Sequence, residues 1–479
     1  MTLMALGNHI IRNSLLLFSA RVVNPAVTLA VGLYIAKFLG VEPFGQFTFI
    51  MSYFFLFSII FSLGLGTLIS RDTAKTPDQA CEYFCNASFI VILSSVVGLI
   101  IMFLLAHFFN LTQEGRDALY TITLSIFPST LIFIWESLLI TFEKNQYILT
   151  IQGIEGTIKI VLGYLVLSRG FGLIYLMTVF LISRYLSGIL YYVVIKKLLS
   201  PLKIEINFAF VKRLLTLLPP FVTLYVFSVL FSKIDLLMLA LLTNFTDTGI
   251  YSAAYKLLEV SFMLPTCIIS VFFPILSRYA KESATSFIYA ISNGIFYSLL
   301  VSLPIIVVSI YLADKIIFVI YSKDFFSSIL SFRILIVTFG FYMIDQIFAH
   351  SLVACNFQNL NVRALMTATF INIVLNLILI PKYSYLGASV TTLVSMAALT
   401  LIHHYFVIKH IYRVNLLRMF IAPFFAILPA GVFLFVMQNN LSLVVLLFLF
   451  CLIYLSLILF TRGLFSENRR VLLPRDKIY

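Results

Sequence analysis

Charge is what this chain has least of. Only 11% of its 479 residues are Asp, Glu, Lys or Arg, and 62% are hydrophobic. Mean hydropathy is +1.08. Soluble domains carry roughly 25% charged residues, so no water-soluble core accommodates this composition. Long polar stretches are missing too. The longest, the loop Lys196 to Arg213 and the tail after Arg462, are too short for a soluble catalytic domain. Cysteines are few, at positions 81, 85, 267, 355 and 451, and give no disulfide framework. Cys81 and Cys85 have zinc-like spacing, yet no second Cys or His pair lies nearby to complete four ligands, so they read as reduced, structural thiols. There is no Walker A loop, HExxH or GxSxG, which removes ATP hydrolysis by that route and two common hydrolase classes. No large external loop of the kind membrane polymerases and ligases carry is present. His403 and His404 lie at the inner end of an apolar segment without a carboxylate near them in sequence, and read as an interfacial structural pair. No metal site is expected.

What is there instead is a series of bilayer-length apolar segments. A helix needs roughly 20 apolar residues to cross the hydrocarbon, and about 14 stretches qualify. They run near 13–36, 47–69, 84–106, 119–141, 147–167 and 172–195, then 214–242, 250–277, 286–312, 330–354, 362–380 and 385–409, with a last pair at 417–437 and 441–461. The polar Gly7, Asn8, His9 and Arg12 lead straight into the first span without a small-residue cleavage site, so a retained polytopic chain is expected. The net charge of +13 suggests nucleic acid until its placement is considered. With the N-terminus inside, about 20 Lys and Arg fall in cytoplasmic loops and tails and about 6 outside. The charge is a topology signal with both termini cytoplasmic, and a nucleic-acid partner is excluded.

The basic central loop divides the first twelve spans into two sets of six that resemble each other weakly. Gly45-Gln46-Phe47 recurs as Gly249-Ile250-Tyr251, Ser70-Arg71 as Ser277-Arg278, and Val193-Val194-Ile195-Lys196 as Phe406-Val407-Ile408-Lys409. Because six is even, both sets insert the same way up, a parallel repeat of the kind transporters use. The expected organisation is all-α and polytopic: an N-lobe over 1–213, a C-lobe over 214–416, and an extra helix pair with a basic tail over 417–479, the two lobes surrounding a central cavity.

A charge at the bilayer centre costs about 2.5–3.5 kcal/mol on insertion scales, so those inside spans need a reason. Glu155 with Lys159, and Lys256 with Glu259, are spaced to neutralise each other along one helix face. Arg333 and Glu136 can snorkel to an interface. Lys233 and Asp235 are two apart and point to different faces, so each needs another helix or a water-filled space. The isolated mid-span cations Arg21, Arg184 and Lys233 suit an anionic substrate, pyrophosphate above all, since Arg offers forked donors and Lys a point charge. Gln346 with His350, and Asn372 with Asn376, place amides on single helix faces, where they can contact sugar or a neighbouring helix. Prolines 25, 128, 265, 274 and 304 fall inside spans and can kink them.

The run Arg21…Leu39-Gly40-Val41-Glu42-Pro43-Phe44-Gly45-Gln46-Phe47…Gly64-Leu65-Gly66…Arg71 resembles the opening of bacterial polysaccharide flippases of the Wzx type, in the multidrug/oligosaccharidyl-lipid/polysaccharide exporter superfamily. Lys233-Ile234-Asp235, Gly249 through Lys256, Glu259 and Phe273-Pro274…Ser277-Arg278 carry the likeness into the second half. The resemblance implies two six-helix lobes opening alternately to each side. It also implies movement of undecaprenyl-pyrophosphate-linked sugar units to the periplasmic leaflet of the inner membrane, for O-antigen, lipopolysaccharide or another surface polysaccharide. Arg21, Arg184, Lys233, Lys256 and Arg333 would form a cationic lumen. Gln346, Asn372 and Asn376 would supply polar contacts, and Asp235, Glu259 and Asp345 would be candidates for H+ or Na+ coupling or charge pairing. No cofactor is expected. A polysaccharide polymerase and chain-length machinery are the expected neighbours. Many relatives have twelve spans, and the added pair leaves kinship with lipid II flippases open. Two other readings fit less of the pattern. A multidrug antiporter of the same superfamily predicts an acidic, aromatic cavity, and a membrane enzyme predicts large external loops.

Overall fold

In hydrocarbon an unpaired backbone N–H or C=O costs several kcal/mol, and uninterrupted apolar runs resolve that cost as helices. The computed structural model describes residues 25–199, 205–411, 416–437 and 442–464, with Leu16, Ser19 and Val23. Arg21, Lys203 and the basic tail of Arg469, Arg470, Arg475 and Lys477 lie outside the described residues. Among the described residues every regular element is helical. Ten helical stretches there are long and apolar enough to cross a membrane, and a pair of helices bent by 42° makes an eleventh. The protein is a multi-pass membrane protein.

The chain forms two compact units, Met1–Ser252 and Ala253–Tyr479. The first holds α1 (Pro25–Phe38), α2 (Val41–Phe61), α3 (Leu65–Thr73), α4 (Ala80–Leu105), α5 (Gln113–Thr123), α6 (Ile126–Thr141), α7 (Asn145–Ser168), α8 (Leu173–Leu198), α9 (Phe208–Leu217), α10 (Pro219–Leu242) and the opening turns of α11 (Phe245–Ser261). The second continues through α12 (Met263–Glu282), α13 (Ala284–Tyr311), α14 (Ala313–Ile320), α15 (Ser328–Ala354), α16 (Gln358–His410), α17 (Leu416–Met437) and α18 (Leu443–Leu464). Their outward faces are apolar: Leu104, Ile182, Phe370, Leu401 and Leu459 are all more than 60% exposed, as lipid-facing side chains should be.

Several boundaries differ from expectation, each for a local reason. The span expected at 47–69 breaks where Leu63 and Gly64 both take left-handed backbone, at φ 55° and 65°. A Cβ on Gly64 would lie 3.1 Å from the backbone of Phe221, so only glycine lets α10 approach there. The expected loop Lys196 to Arg213 contains α9. Asn207 caps it by accepting from the N–H groups of Ala209 and Phe210, and its Phe210 ring packs edge-on to Tyr83 of α4 at 4.9 Å. α16 has 53 residues but is broken at Ser384, at φ 49°, ψ −130°. Unbroken, residues 379 and 387 would stand about 12 Å apart. Instead the Leu379 carbonyl presses on Gly387 so closely that no Cβ would fit, so the chain doubles back into two helices. Of the expected prolines, Pro128 and Pro265 sit in first turns, where no helical bond is lost, while Pro274 and Pro304 lie inside α12 and α13.

The matched glycine motifs at Gly45 and Gly249 meet within the first unit. A Cβ on Gly45 of α2 would strike the carbonyl of Phe245, and one on Gly249 of α11 would strike the carbonyl of Val41. Each glycine thus seats against the residue four positions before the other. Three residues on, Thr48 and Ser252 share a hydrogen bond of 2.8 Å between buried hydroxyls. Adding a methyl at either crossing forces the helices apart, at about 1–3 kcal/mol. Gly45→Ala and Gly249→Ala are therefore expected to lower the thermal midpoint of the detergent-solubilised protein. Gly153→Ala, where a Cβ would meet nothing within 4 Å, should leave it unchanged.

Candidate functional site

Three helices of the first unit turn polar stripes toward one another. On α7, Gln152, Glu155 and Lys159 recur at i, i+3 and i+7, and on α8 so do Arg184, Ser187 and Tyr191. α6 contributes Ser129 and Glu136, also seven apart. Gly170, at φ 80°, ends α7 and lets α8 return alongside it. Glu155, 2% exposed, sits at the centre. It accepts from Lys159 Nζ at 2.5 Å, Ser187 Oγ at 2.7 Å and Arg184 Nη1 at 3.2 Å. Arg184 Nε donates to Ser129 Oγ at 3.0 Å, and the Lys159 ammonium lies 4.8 Å over the Phe180 ring. One turn of α8 further on, the Tyr191 hydroxyl donates to Glu136 Oε1 at 2.6 Å, and Gln152 Nε2 donates to the same oxygen at 3.0 Å. Two acids and two bases sum to zero formal charge.

Arg184 is isolated only in sequence, since its ion-pair partner Glu155 lies 29 residues earlier. Glu136 does not snorkel outward; Tyr191 and Gln152 hold it inside the unit. Beside it opens a cavity of about 390 Å³ bordered by Thr67, Ser70, Phe133, Glu136, Gln152 and Tyr225. Elsewhere in this unit the Lys233 ammonium lies 5.9 Å from the Phe55 ring, and Tyr251 donates to buried Asp235 at 3.4 Å. At the end of α3, Arg71 grips Asp72 through Nε at 2.7 Å and Nη2 at 3.1 Å, which holds the Asp72 carboxyl below its ordinary range and keeps the pair ionised.

The second unit has its own pairs. Asp345 of α15 and His403 of α16 are both buried, with His403 Nδ1 2.7 Å from Asp345 Oδ1. His403 therefore has the carboxylate that its sequence neighbours lack, and the interfacial reading is corrected: it is a core partner of Asp345. An acid on one helix held by a ring-bearing partner occurs in both units, Glu136 with Tyr191 and Asp345 with His403. Lys256 and Glu259 do pair, at 2.8 Å. Arg333 Nε donates to the Ile310 carbonyl at 3.0 Å, satisfying the C-terminal end of α13. Asn376 donates to Asn372 at 2.9 Å, and His350 bonds the backbone of Gln346 at 2.8 Å. The five cysteines are unbridged, and no cluster of His, Cys, Asp or Glu among the described residues could hold a metal ion.

The sequence pattern of the family described as "Polysaccharide biosynthesis protein" matches residues 10–280, more than half of the chain. The chain belongs to that family. It is 27% identical over 180 residues to the "Probable low-salt glycan biosynthesis flippase Agl15" of Haloferax volcanii, covering 36% of this chain and 38% of that protein. It is 24% identical over 164 residues to the "Capsular polysaccharide biosynthesis protein CapF" of Staphylococcus aureus, covering 33% and 40%. These matches thus span about two fifths of each relative's length. In fold it is similar to the lipid II flippase MurJ in an inward-closed conformation, with TM-score 0.76, 19% identity, and 95% and 99% of the two chains covered. It is also similar to an inward-facing multidrug resistance MATE family transporter of the MOP superfamily, with TM-score 0.67, 11% identity, and 80% and 94% covered. At those identities the likeness is one of fold. The family member described here therefore has the all-helical fold of MOP-superfamily transporters.

Removing one partner of a buried ion pair strands the other charge, at about 3–5 kcal/mol. Glu155→Gln, which takes the shared carboxylate from both Lys159 and Arg184, is expected to lower the thermal midpoint more than Arg184→Gln, which leaves Glu155 paired with Lys159. Differential scanning fluorimetry in detergent would check that order.

Proposed function

We propose that this protein flips lipid-linked oligosaccharides, of the undecaprenyl-pyrophosphate class, from the cytoplasmic to the periplasmic leaflet of a bacterial inner membrane by alternating access. The observation that carries the reading is the polysaccharide-biosynthesis family match over residues 10–280 on a multi-pass helical fold. Physics adds support. A phosphorylated sugar headgroup cannot enter hydrocarbon unaided, and this bundle keeps carboxylates, amides and cations inside its helices. In this reading Arg21, Arg184, Lys233, Lys256 and Arg333 read the phosphates, and Gln346, Asn372 and Asn376 contact sugar. Both termini are cytoplasmic. The cargo serves surface polysaccharide assembly, with a polymerase and chain-length machinery downstream.

Among the coupling candidates Asp235, Glu259 and Asp345, the last gains most from its surroundings. Its partner His403, on the neighbouring helix, is buried with it and stands 2.7 Å away. His403 Nε2 is buried and has no hydrogen-bond partner among the described residues. A buried acid whose partner still has a bonding position to offer can answer to an arriving ion, H+ or Na+, so Asp345 is the favoured coupling residue.

The test is transport in proteoliposomes carrying a fluorescent undecaprenyl-pyrophosphate oligosaccharide. Wild type is expected to deplete outer-leaflet label, and Arg21→Ala and Lys233→Ala to slow it at least about tenfold, the loss of roughly one charge-assisted contact. Asp345→Asn should retain flipping but lose its response to an imposed H+ or Na+ gradient. Efflux of a cationic dye without flipping of any sugar lipid would make the protein a multidrug antiporter instead.

A further inference from the structure

A second cavity of the first unit, of about 260 Å³, opens where the end of α6, the start of α7 and the end of α8 meet. Leu139, Val193, Val194 and Leu198 form its apolar wall. Lys144, Lys197 and Tyr147 form the polar one. Both lysines are exposed, and neither ammonium has a hydrogen bond or an ion pair among the described residues. Elsewhere in this unit Lys159 and Arg184 are neutralised by Glu155. Here no acid stands among the described walls, so the cavity is electropositive.

Its depth in the membrane follows from the sequence. α8 carries no charge from Tyr185 to Ile195, so Lys196 and Lys197 close its apolar run. α7 is uncharged from Asn145 to Ile154, with Lys144 just before it. The cavity therefore lies at the edge of the hydrocarbon, the level at which Tyr is enriched. Exposed apolar stripes lead to it. On α8, Ile182, Leu186, Ile189 and Val193 are exposed at spacings of four, three and four, on the side opposite Arg184, Ser187 and Tyr191. On α7, Tyr147, Ile154 and Val161 are exposed at spacings of seven.

Cations at the rim with apolar walls beneath repeat the order of parts in an anionic lipid, and basic pockets between membrane helices bind such headgroups. A soluble anion makes no use of the apolar wall, and a zwitterionic lipid brings a cation of its own toward the lysines. We infer that this cavity binds one anionic phospholipid of the surrounding bilayer. Lys144 and Lys197 hold its phosphate, Tyr147 adds a donor, and an acyl chain lies along the stripe that ends at Val193. The inference does not depend on what the protein carries. A lipid seated there joins the turn between α6 and α7 to the end of α8, so its binding stabilises the folded chain.

Native mass spectrometry of the delipidated full-length protein in detergent would test it, with thermal midpoints measured alongside. The probes are phosphatidylglycerol, phosphatidylcholine, a polyprenyl phosphate and inorganic phosphate. Wild type is expected to retain phosphatidylglycerol over phosphatidylcholine and to melt higher with it. Lys144→Gln and Lys197→Gln should each weaken that binding about fivefold, and the double variant about thirtyfold, at about 1 kcal/mol per lysine near an anionic headgroup. Because both lysines are exposed, the variants should melt as wild type does without lipid, which separates lost binding from lost folding. Lys212→Gln, an exposed cation of α9 outside the cavity, should bind as wild type does. Undiminished binding in the double variant, an equal loss in Lys212→Gln, or equal retention of phosphatidylcholine would overturn the site. So would displacement of the lipid by inorganic phosphate, which marks a soluble-anion site, or tighter binding of the polyprenyl phosphate, which marks a cargo site.

Discussion

A charge inside hydrocarbon has no solvent to neutralise it, so each must find its complement within the protein. That requirement organises the first unit. Glu155 can accept from Lys159, Ser187 and Arg184 together only if α7 and α8 hold one register, and Arg184 reaches Ser129 only if α6 is seated against them. Lipid offers no hydrophobic drive between apolar helices, so such polar contacts decide which faces turn inward. Asp345 and His403 do the same between α15 and the second half of α16.

Helix placement was legible because span length is a one-dimensional property. The segments expected at 172–195 and 330–354 correspond to α8, Leu173–Leu198, and α15, Ser328–Ala354. Pairs within one helix were legible for the same reason: Glu155 with Lys159, and Lys256 with Glu259, follow from spacing. Pairs between helices were not. Asp345 and His403 stand 58 residues apart, and nothing local links them. The matching i, i+3, i+7 stripes on α7 and α8 were the available signal for Arg184 and Glu155. α9 was hidden because a short helix in a basic stretch lacks the apolar length that marks a span. The cavity beside Glu136 draws on α3, α6, α7 and α10, each supplying side chains unremarkable alone.

Balanced charge in the first unit has a corollary for what its polar layer does. Glu155, Lys159 and Arg184 already satisfy one another, so their main effect is on shape and rigidity. Unsatisfied hydrogen-bonding capacity sits instead with neutral or half-engaged groups, the Gln152 carbonyl and the second oxygen of Glu136. Charge balance and leftover hydrogen-bonding capacity thus lie on different atoms of one polar layer, although the two share α6 and α7.

The seating of Gly45 and Gly249 is reciprocal, each against the residue four before the other. Reciprocal contacts are what two identical subunits make across a twofold axis. Neither side of such a contact can grow alone, since a side chain added at either glycine meets the backbone of the other helix. Here one half carries a phenol beside its acid, Tyr191 with Glu136, and the other an imidazole, His403 with Asp345. The two units thus keep a buried acid in place by chemically different means, a phenol hydroxyl in one and an imidazole ring in the other.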